Sequence, residues 1–397
     1  MSTGVATTSW VEISKKALLT NVALIKKCAG LNPTISLCVK ANAYGHGDTL
    51  ITKIIQAYDE QTWFNVHSIE EARRLRLEGI SHPIYIMGPL LISQLKEAIE
   101  LDTRCVVYDY EHLAEAQRQG EAQNKVARLH IKIETGINRQ GVGVHDAARL
   151  CRAAQIMKNV KIEGIATHFA NIEDIKSAGF FSHQLLKIKL GGMAEFPQKQ
   201  LFKFREAISE LEKQGYTFEK IHCANSAATL LFQETHFSMI RPGLIIYGLW
   251  PSEAVKTAFE KKARTIRTLE PILSWKTRIG QIKIVPKGET IGYGCTYKTK
   301  RDTKIAIIPV GYFDGYDRGL SNKGHVIIHY QKAPILGRIC MNMQMVDVTE
   351  IPNARNEDIA TLIGDGMSAD EMAKNAGTIN YEITTRIREG IPRILVD

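Results

Sequence analysis

The sequence predicts an α/β protein: an N-terminal (β/α)8 TIM-type barrel over residues 1–250, joined to a mostly antiparallel β domain over residues 251–397. Three observations point there. Short apolar, strand-like runs recur through the first two thirds of the chain: Ile35–Val39, Trp63–Val66, Ile84–Met87, Arg104–Val107, Leu129–Ile133, Ile162–Thr167, Lys220–Cys223 and Leu244–Tyr247. Amphipathic helical stretches such as Ile69–Leu77, Glu111–Gln119 and Phe204–Lys213 lie between most of them. After about Trp250 the pattern changes to strands that alternate apolar and polar residues, punctuated by glycines. A doubly wound open sheet is the second reading of the N-terminal pattern.

At 397 residues the chain is long enough for two domains with sizeable cores. No run of ~18 apolar residues exists, so no membrane span is expected. The opening Met-Ser-Thr-Gly-Val-Ala-Thr-Thr-Ser-Trp has neither a basic n-region nor an apolar h-region, so a secretory signal is not expected either. The seven cysteines are odd in number and form no CxxC pair. Reduced thiols, a cytoplasmic setting and no metal centre are therefore expected. The net charge of +9 is spread along the chain, without a basic tail or nucleic-acid motif, which argues against nucleic-acid binding. Such a charge is either a solvated, slightly basic surface or a field that attracts an anionic cofactor.

The first strand, from Thr34 to Val39, is apolar and β-rich, and Lys40 stands at its end. Ala41-Asn42-Ala43-Tyr44-Gly45-His46-Gly47 follows, then a helix-like run from Asp48. A lysine that emerges from the interior enters a partly dry site. Desolvation favours the neutral amine, which condenses with aldehydes. Tyr44 offers a hydroxyl close to helix-terminal amides, a setting that suits a phosphate. Together these suggest pyridoxal phosphate (PLP). A snorkelling lysine before a glycine turn is the plain alternative.

The fifth strand leads into Lys132-Ile-Glu-Thr-Gly-Ile-Asn-Arg139-Gln-Gly, a glycine-bounded loop in which Arg139 can present a planar fork to a carboxylate or phenolate. His168 follows the sixth strand, and Ser177–Lys199 after it reads as a surface excursion or a partial lid. Asn225 and Ser226 follow the seventh strand, where an N-cap and a phosphate contact are compatible roles. Arg241-Pro242-Gly243 precedes the eighth run, so the arginine is fixed in direction. In a barrel, chemistry gathers at the C-terminal ends of the strands, where these groups stand. The β domain is built from Ser274–Val285, Lys304–Pro309, His325–Tyr330 and Met343–Val348, with a capping box at Ser368–Glu371 opening one helix.

These segments resemble those of alanine racemases, in the barrel-type class of PLP enzymes, and the resemblance runs from the first strand to the C-terminus. It implies that Lys40 carries PLP, and that Tyr44, Ser226 and Tyr381 meet its phosphate, with Gly243 and Leu244 among the cofactor-binding positions. It also implies that His168 stacks on the pyridine ring and Arg241 faces the pyridine nitrogen. An arginine cannot give up its proton, so the ring stays a modest electron sink, as suits racemisation. Decarboxylases of the same class carry a glutamate there. Arg139 and the Met341 amide are implied to hold the substrate carboxylate, and Lys132 matches a lysine that is carbamylated in some members. Tyr293, between two glycines, matches a tyrosine base that arrives from the partner subunit of a homodimer with shared active sites. Lys40 and Tyr293 are thus the expected pair of catalytic bases. Asn342 stands where many members have aspartate, which removes a negative charge near the substrate. The expected function is interconversion of L- and D-alanine, a step that supplies cell-wall synthesis. A serine or broad-specificity racemase, a decarboxylase and a non-catalytic PLP-binding protein are the alternatives.

Overall fold

The computed structural model describes residues 7–175, 193–262 and 268–397, and the chain divides into two compact units. One unit comprises Leu19–Lys40 and Ile51–Glu270; the other comprises Met1–Leu18, Ala41–Leu50 and Pro271–Asp397.

The first unit is an α/β barrel. Its eight strands run in the order Lys220–His222, Val160–Ala166, Ala127–Lys132, Thr103–Val107, Ile84–Ile86, Trp63–Val66, Thr34–Cys38 and Met239–Ile240, each parallel to its neighbours. Between the outermost two, Ser238 N–H donates to Ile221 O (3.2 Å) and Arg241 N–H to Ala224 O (2.8 Å), which brings the sheet close to closure. Strands covered on both faces must be apolar on both faces. Leu37, Phe64, Ile84, Ile86, Ile131 and Ile165 are fully buried accordingly. Two of the outer helices, Ile69–Leu77 and Tyr110–Gln123, begin at side-chain caps: Ser68 Oγ accepts from Glu71 N–H, and Asp109 Oδ1 accepts from His112 N–H.

The eighth strand differs from the sequence expectation. Leu244–Tyr247 is a 3-10 turn, fully buried, and the strand is Met239–Ile240 instead. A four-residue apolar run has the same pattern in a buried strand and a buried turn. Pro242 lacks an N–H, Gly243 leaves the extended region (φ −126, ψ −89) and Gly248 closes the turn at φ 76. Arg241 therefore ends a strand rather than preceding one. Of the stretch Ser177–Lys199, residues 177–192 lie outside the described residues. An antiparallel bridge joins Ile175 to Met193, and a helix runs over Glu195–Lys213.

The second unit is built on a nine-stranded, mostly antiparallel sheet. The alternating run Ser274–Val285 breaks at Ile279-Gly280 into two strands, Leu273–Arg278 and Gln281–Val285. The N-terminal strand Ser9–Ser14 belongs here, antiparallel to Leu273–Arg278 and parallel to Arg393–Val396. Ser368 caps the helix Ala369–Ala376 by accepting from Glu371 N–H. No helix among the described residues is long and apolar enough to cross a membrane.

Candidate active site

Lys40 is aimed by the strand before it. Cys38 N–H donates to Pro242 O (2.8 Å), Val39 N–H to Asn65 O (2.9 Å) and the Tyr247 hydroxyl to Cys38 O (2.7 Å). Asn65 is itself locked to Ser36 by two side-chain bonds (2.6 and 2.8 Å). Three elements thus pin the backbone ahead of a half-buried amine that has no hydrogen-bond partner among the described residues.

Within the barrel unit His168 lies near four cations. Its imidazole is held well below the ordinary value, by burial first and then by Arg241, Lys132, Arg139 and Lys40. It is neutral, and a neutral ring is suited to stacking on another ring. Lys132 is pushed down to about 7, again by burial first and then by Arg241 and Arg139. Its Nζ donates to Gln140 Oε1 at 3.2 Å. Arg139 is exposed at the loop tip. The loop is organised by Glu134, whose Oε1 accepts from Gly136 N–H at 2.5 Å. Burial works against the ionised form of Glu134, yet backbone N–H groups of Asn138, Gly136, Arg139 and Ile137 hold its carboxyl below the usual range.

Arg241 is buried and donates to Thr167 O from Nη2 (2.9 Å) and to His222 O from Nη1 (3.0 Å). Nη1 also donates to His222 Nδ1. Of five guanidinium N–H groups, the one on Nε and one on Nη2 keep no protein acceptor among the described residues. Ser226 follows the N-cap Asn225, and its Oγ accepts from Gly243 N–H at 2.9 Å. The strand ends thus collect a lysine amine, spare arginine donors, a neutral imidazole and a hydroxyl on a glycine amide. That donor set fits PLP, which needs an amine for its aldehyde, a partner for its ring nitrogen and hydroxyl or amide donors for its phosphate.

The second unit places Tyr44 beside Tyr381, with ring centroids 6.0 Å apart. Tyr44 closes a left-handed turn: Ala41, Asn42, Ala43 and Tyr44 have φ of 52, 54, 52 and 54. Side chains pay about 1–2 kcal/mol per residue for that conformation. The turn is held by Gly45 N–H to Ala41 O (3.0 Å), Gly47 N–H to Asn42 O (2.9 Å), and Asp48 N–H to Asn42 Oδ1 (3.0 Å). Arg393 grips Gly45 O from Nε and Nη2 (3.1 and 2.8 Å). His46, pushed down to about 3 by burial, donates from Nδ1 to Ala43 O and Tyr44 O (2.9 and 3.0 Å). Tyr293 is 73% exposed on a turn between Gly292 and Gly294. That turn packs on Arg338: a Cβ at Gly294 would come within 2.8 Å of Arg338 Nη1. Met341 is also exposed, and its carbonyl accepts from Phe313 N–H (3.0 Å). Asn342 is exposed beside it.

Sequence reasoning missed Glu134, His130, Glu163 and Arg338. For His130 a signal existed: it lies two residues before Lys132 on one strand and so shares its face.

Comparison with known proteins comes to the same place. Residues 13–251 match the family model described as alanine racemase, N-terminal domain, and residues 272–395 match alanine racemase, C-terminal domain. An alanine racemase of Leptospira interrogans is 39% identical over 98% of this chain and 96% of its own length. One from Halothermothrix orenii is 37% identical over 97% of the chain and 96% of its own length. Among solved structures, the alanine racemase of Bacillus anthracis with bound L-Ala-P is 32% identical, with a TM-score of 0.87 over 99% of this chain and 96% of that one. The alanine racemase of Streptomyces lavendulae is 31% identical, with a TM-score of 0.87 over 99% and 98%.

Proposed function

The chain belongs to the alanine racemase family, and from that premise we infer that it is a PLP-dependent isomerase that interconverts L- and D-alanine. The observation that carries this reading is the pairing of Lys40, at the end of the first barrel strand, with Arg241, a buried donor-only group at the end of the eighth. When bound, PLP supplies an electron sink that makes the Cα–H of an attached amino acid acidic.

The rest belongs to the side chains. Lys40 tethers the cofactor and moves a proton at Cα on one face. Tyr293 moves the proton on the opposite face, and each group serves as the acid for the reaction started by the other. A Cα that loses its proton to one face and regains one from the other is inverted. Arg139 and the Met341 amide hold the carboxylate, so Cα stays between the two groups. Ser226, Gly243, Leu244, Tyr44 and Tyr381 are the groups that would hold the phosphate. His168 would stack on the ring, a role its neutrality supports. Arg241 would offer a spare N–H to the ring nitrogen and cannot surrender that proton.

The exposure of Tyr293 and Met341 supports a head-to-tail homodimer in which each β domain serves the partner's barrel. Mixing Lys40→Ala protein with Tyr293→Phe protein, each inactive alone, is expected to restore activity. Absence of activity after verified subunit exchange contradicts the shared site. The reaction is tested by chiral chromatography after incubation with L-alanine, L-serine and L-lysine separately. D-alanine is expected as the main product, and the D-serine yield measures what Asn342 does to selectivity. No D-product from any of the three rejects the racemase reading, and CO2 release in its place marks a decarboxylase.

A further inference from the structure

Behind Arg241 lies a buried chain of polar groups. Arg241 Nη1 bonds His222 Nδ1, His222 Nε2 lies 2.7 Å from His130 Nδ1, and His130 Nε2 lies 3.1 Å from Glu163 Oε2. Arg104 Nε approaches the same oxygen at 3.3 Å, and Arg128 stands 3.7 Å from the other. His130 and His222 are fully buried and Glu163 nearly so.

The backbone is shaped around this chain. Leu129 pairs with Ile162 but His130 pairs with Gly164, so Glu163 is the extra residue of a β-bulge. Bulges of this kind re-aim side chains, and here the carboxylate meets the imidazole. A Cβ on Gly164 would lie 2.7 Å from His130 Nδ1, so only glycine leaves the ring its place. Tyr85 packs parallel to His130 (centroids 4.7 Å, 27°) and edge-on to His222 (5.4 Å, 85°).

We propose that His222, His130 and Glu163 are positioning residues that fix the direction in which Arg241 donates. This deepens the racemase reading and rests on it. Both ends of the chain select one polarity. A guanidinium only donates, so His222 Nδ1 must accept and its proton sits on Nε2. That proton is given to His130 Nδ1, which places the His130 proton on Nε2, facing Glu163. A carboxylate only accepts, and Glu163 stays ionised. Burial opposes this, but the His130 bond and Arg104 outweigh it. The reverse polarity would set a donor against Arg241 and require a proton on Glu163. Burial keeps both imidazoles neutral: at His222 Arg241 adds to it, and at His130 burial, with Arg104 and Arg241, outweighs the opposing pull of Glu163. Every proton in the chain therefore points away from the ring nitrogen. His222 has none on Nδ1 to pass across, and Arg241, with Nη1 committed to His222, keeps the N–H on Nε and one on Nη2 as donors without a protein acceptor among the described residues.

The test is NMR of the holoenzyme carrying labelled histidine nitrogens, with resonances assigned from His130→Gln and His222→Gln difference spectra. Both imidazoles are expected neutral and protonated at Nε2 alone. In Glu163→Gln the Arg241 end still sets the polarity, so both imidazoles are expected to stay protonated at Nε2, with a weaker bond and an upfield-shifted Nε2–H at His130. With it, kcat falls roughly tenfold while KM for alanine stays within about twofold. A proton on Nδ1 of either residue, or an imidazolium, in the unmodified enzyme overturns the proposal. So does a Glu163→Gln protein with an unshifted His130 Nε2–H resonance and unchanged kcat. Tautomers are read without turnover, so failure here is separable from failure to racemise alanine.

Discussion

Replacing Lys132 with methionine is expected to stabilise the protein, by an amount that depends on pH. The Lys132 amine is buried among Arg241, Arg139 and Lys40, and its pKa falls from 10.5 to about 7. In the unfolded chain it returns to the ordinary lysine value, so folding expels a proton between those limits. At pH 7 that costs about 4 kcal/mol, from ~1.4 kcal/mol per pKa unit over the ~3.5-unit gap, less the partial protonation that remains. Below about pH 7 both states hold the proton and the penalty is full. Above about pH 10.5 both have lost it and the penalty is gone. Because the unfolded state binds more protons in between, native stability rises with pH across that window. Methionine fills similar space without charge and loses one hydrogen bond, to Gln140, worth about 1 kcal/mol. The net gain is about 3 kcal/mol at pH 7 and shrinks toward zero or below by pH 10. Urea unfolding of both proteins in CO2-free buffer, at several pH values from 7 to 10, measures the difference directly. A difference that is independent of pH refutes the reasoning. It would mean that Lys132 does not titrate in this range, as holds if it carries a carbamate.

Two further perturbations test the local geometry. Gly164→Ala pushes a methyl to within 2.7 Å of both His130 Nδ1 and Lys220 O. Overpacking plus a weakened His130–His222 bond should cost roughly 2–5 kcal/mol, read as a lower urea midpoint together with reduced kcat. Ala41→Gly acts on an exposed residue at φ 52. Relief of about 1–2 kcal/mol of left-handed strain offsets the entropy that glycine adds to the unfolded chain. Thermal unfolding should show no loss of stability, whereas a loss of about 1 kcal/mol, normal for Ala→Gly in a right-handed helix, would contradict the left-handed turn.

Much of the placement of the candidate site was legible because it sits at strand ends, and strand ends follow from local pattern. Thr34–Val39 is apolar and β-rich and stops at Lys40; His168 and Ser226 follow runs of the same kind. The cap at Ser368 was legible for a similar reason, since it needs only neighbours three residues apart. What escaped depends on distant partners. Leu244–Tyr247 has an apolar pattern common to strands and buried turns, and only its packing decides. Ser9–Ser14 joins the C-terminal sheet through pairing with residues more than 250 positions away. The bulge at Glu163 exists in register with another strand, so His130 and Glu163, 33 residues apart, cannot be paired by spacing. Nor does any local rule place alanine in a left-handed turn; that conformation is imposed by contacts such as Arg393 on Gly45.

The account depends most on the amine of Lys40 as the cofactor's point of attachment. Borohydride reduction of the purified, PLP-supplied protein, followed by peptide mapping, tests this directly. A pyridoxyl mass on the peptide containing Lys40, lost in Lys40→Ala, is the expected result. An unmodified Lys40 peptide, or the same mass retained on another lysine in Lys40→Ala, contradicts it.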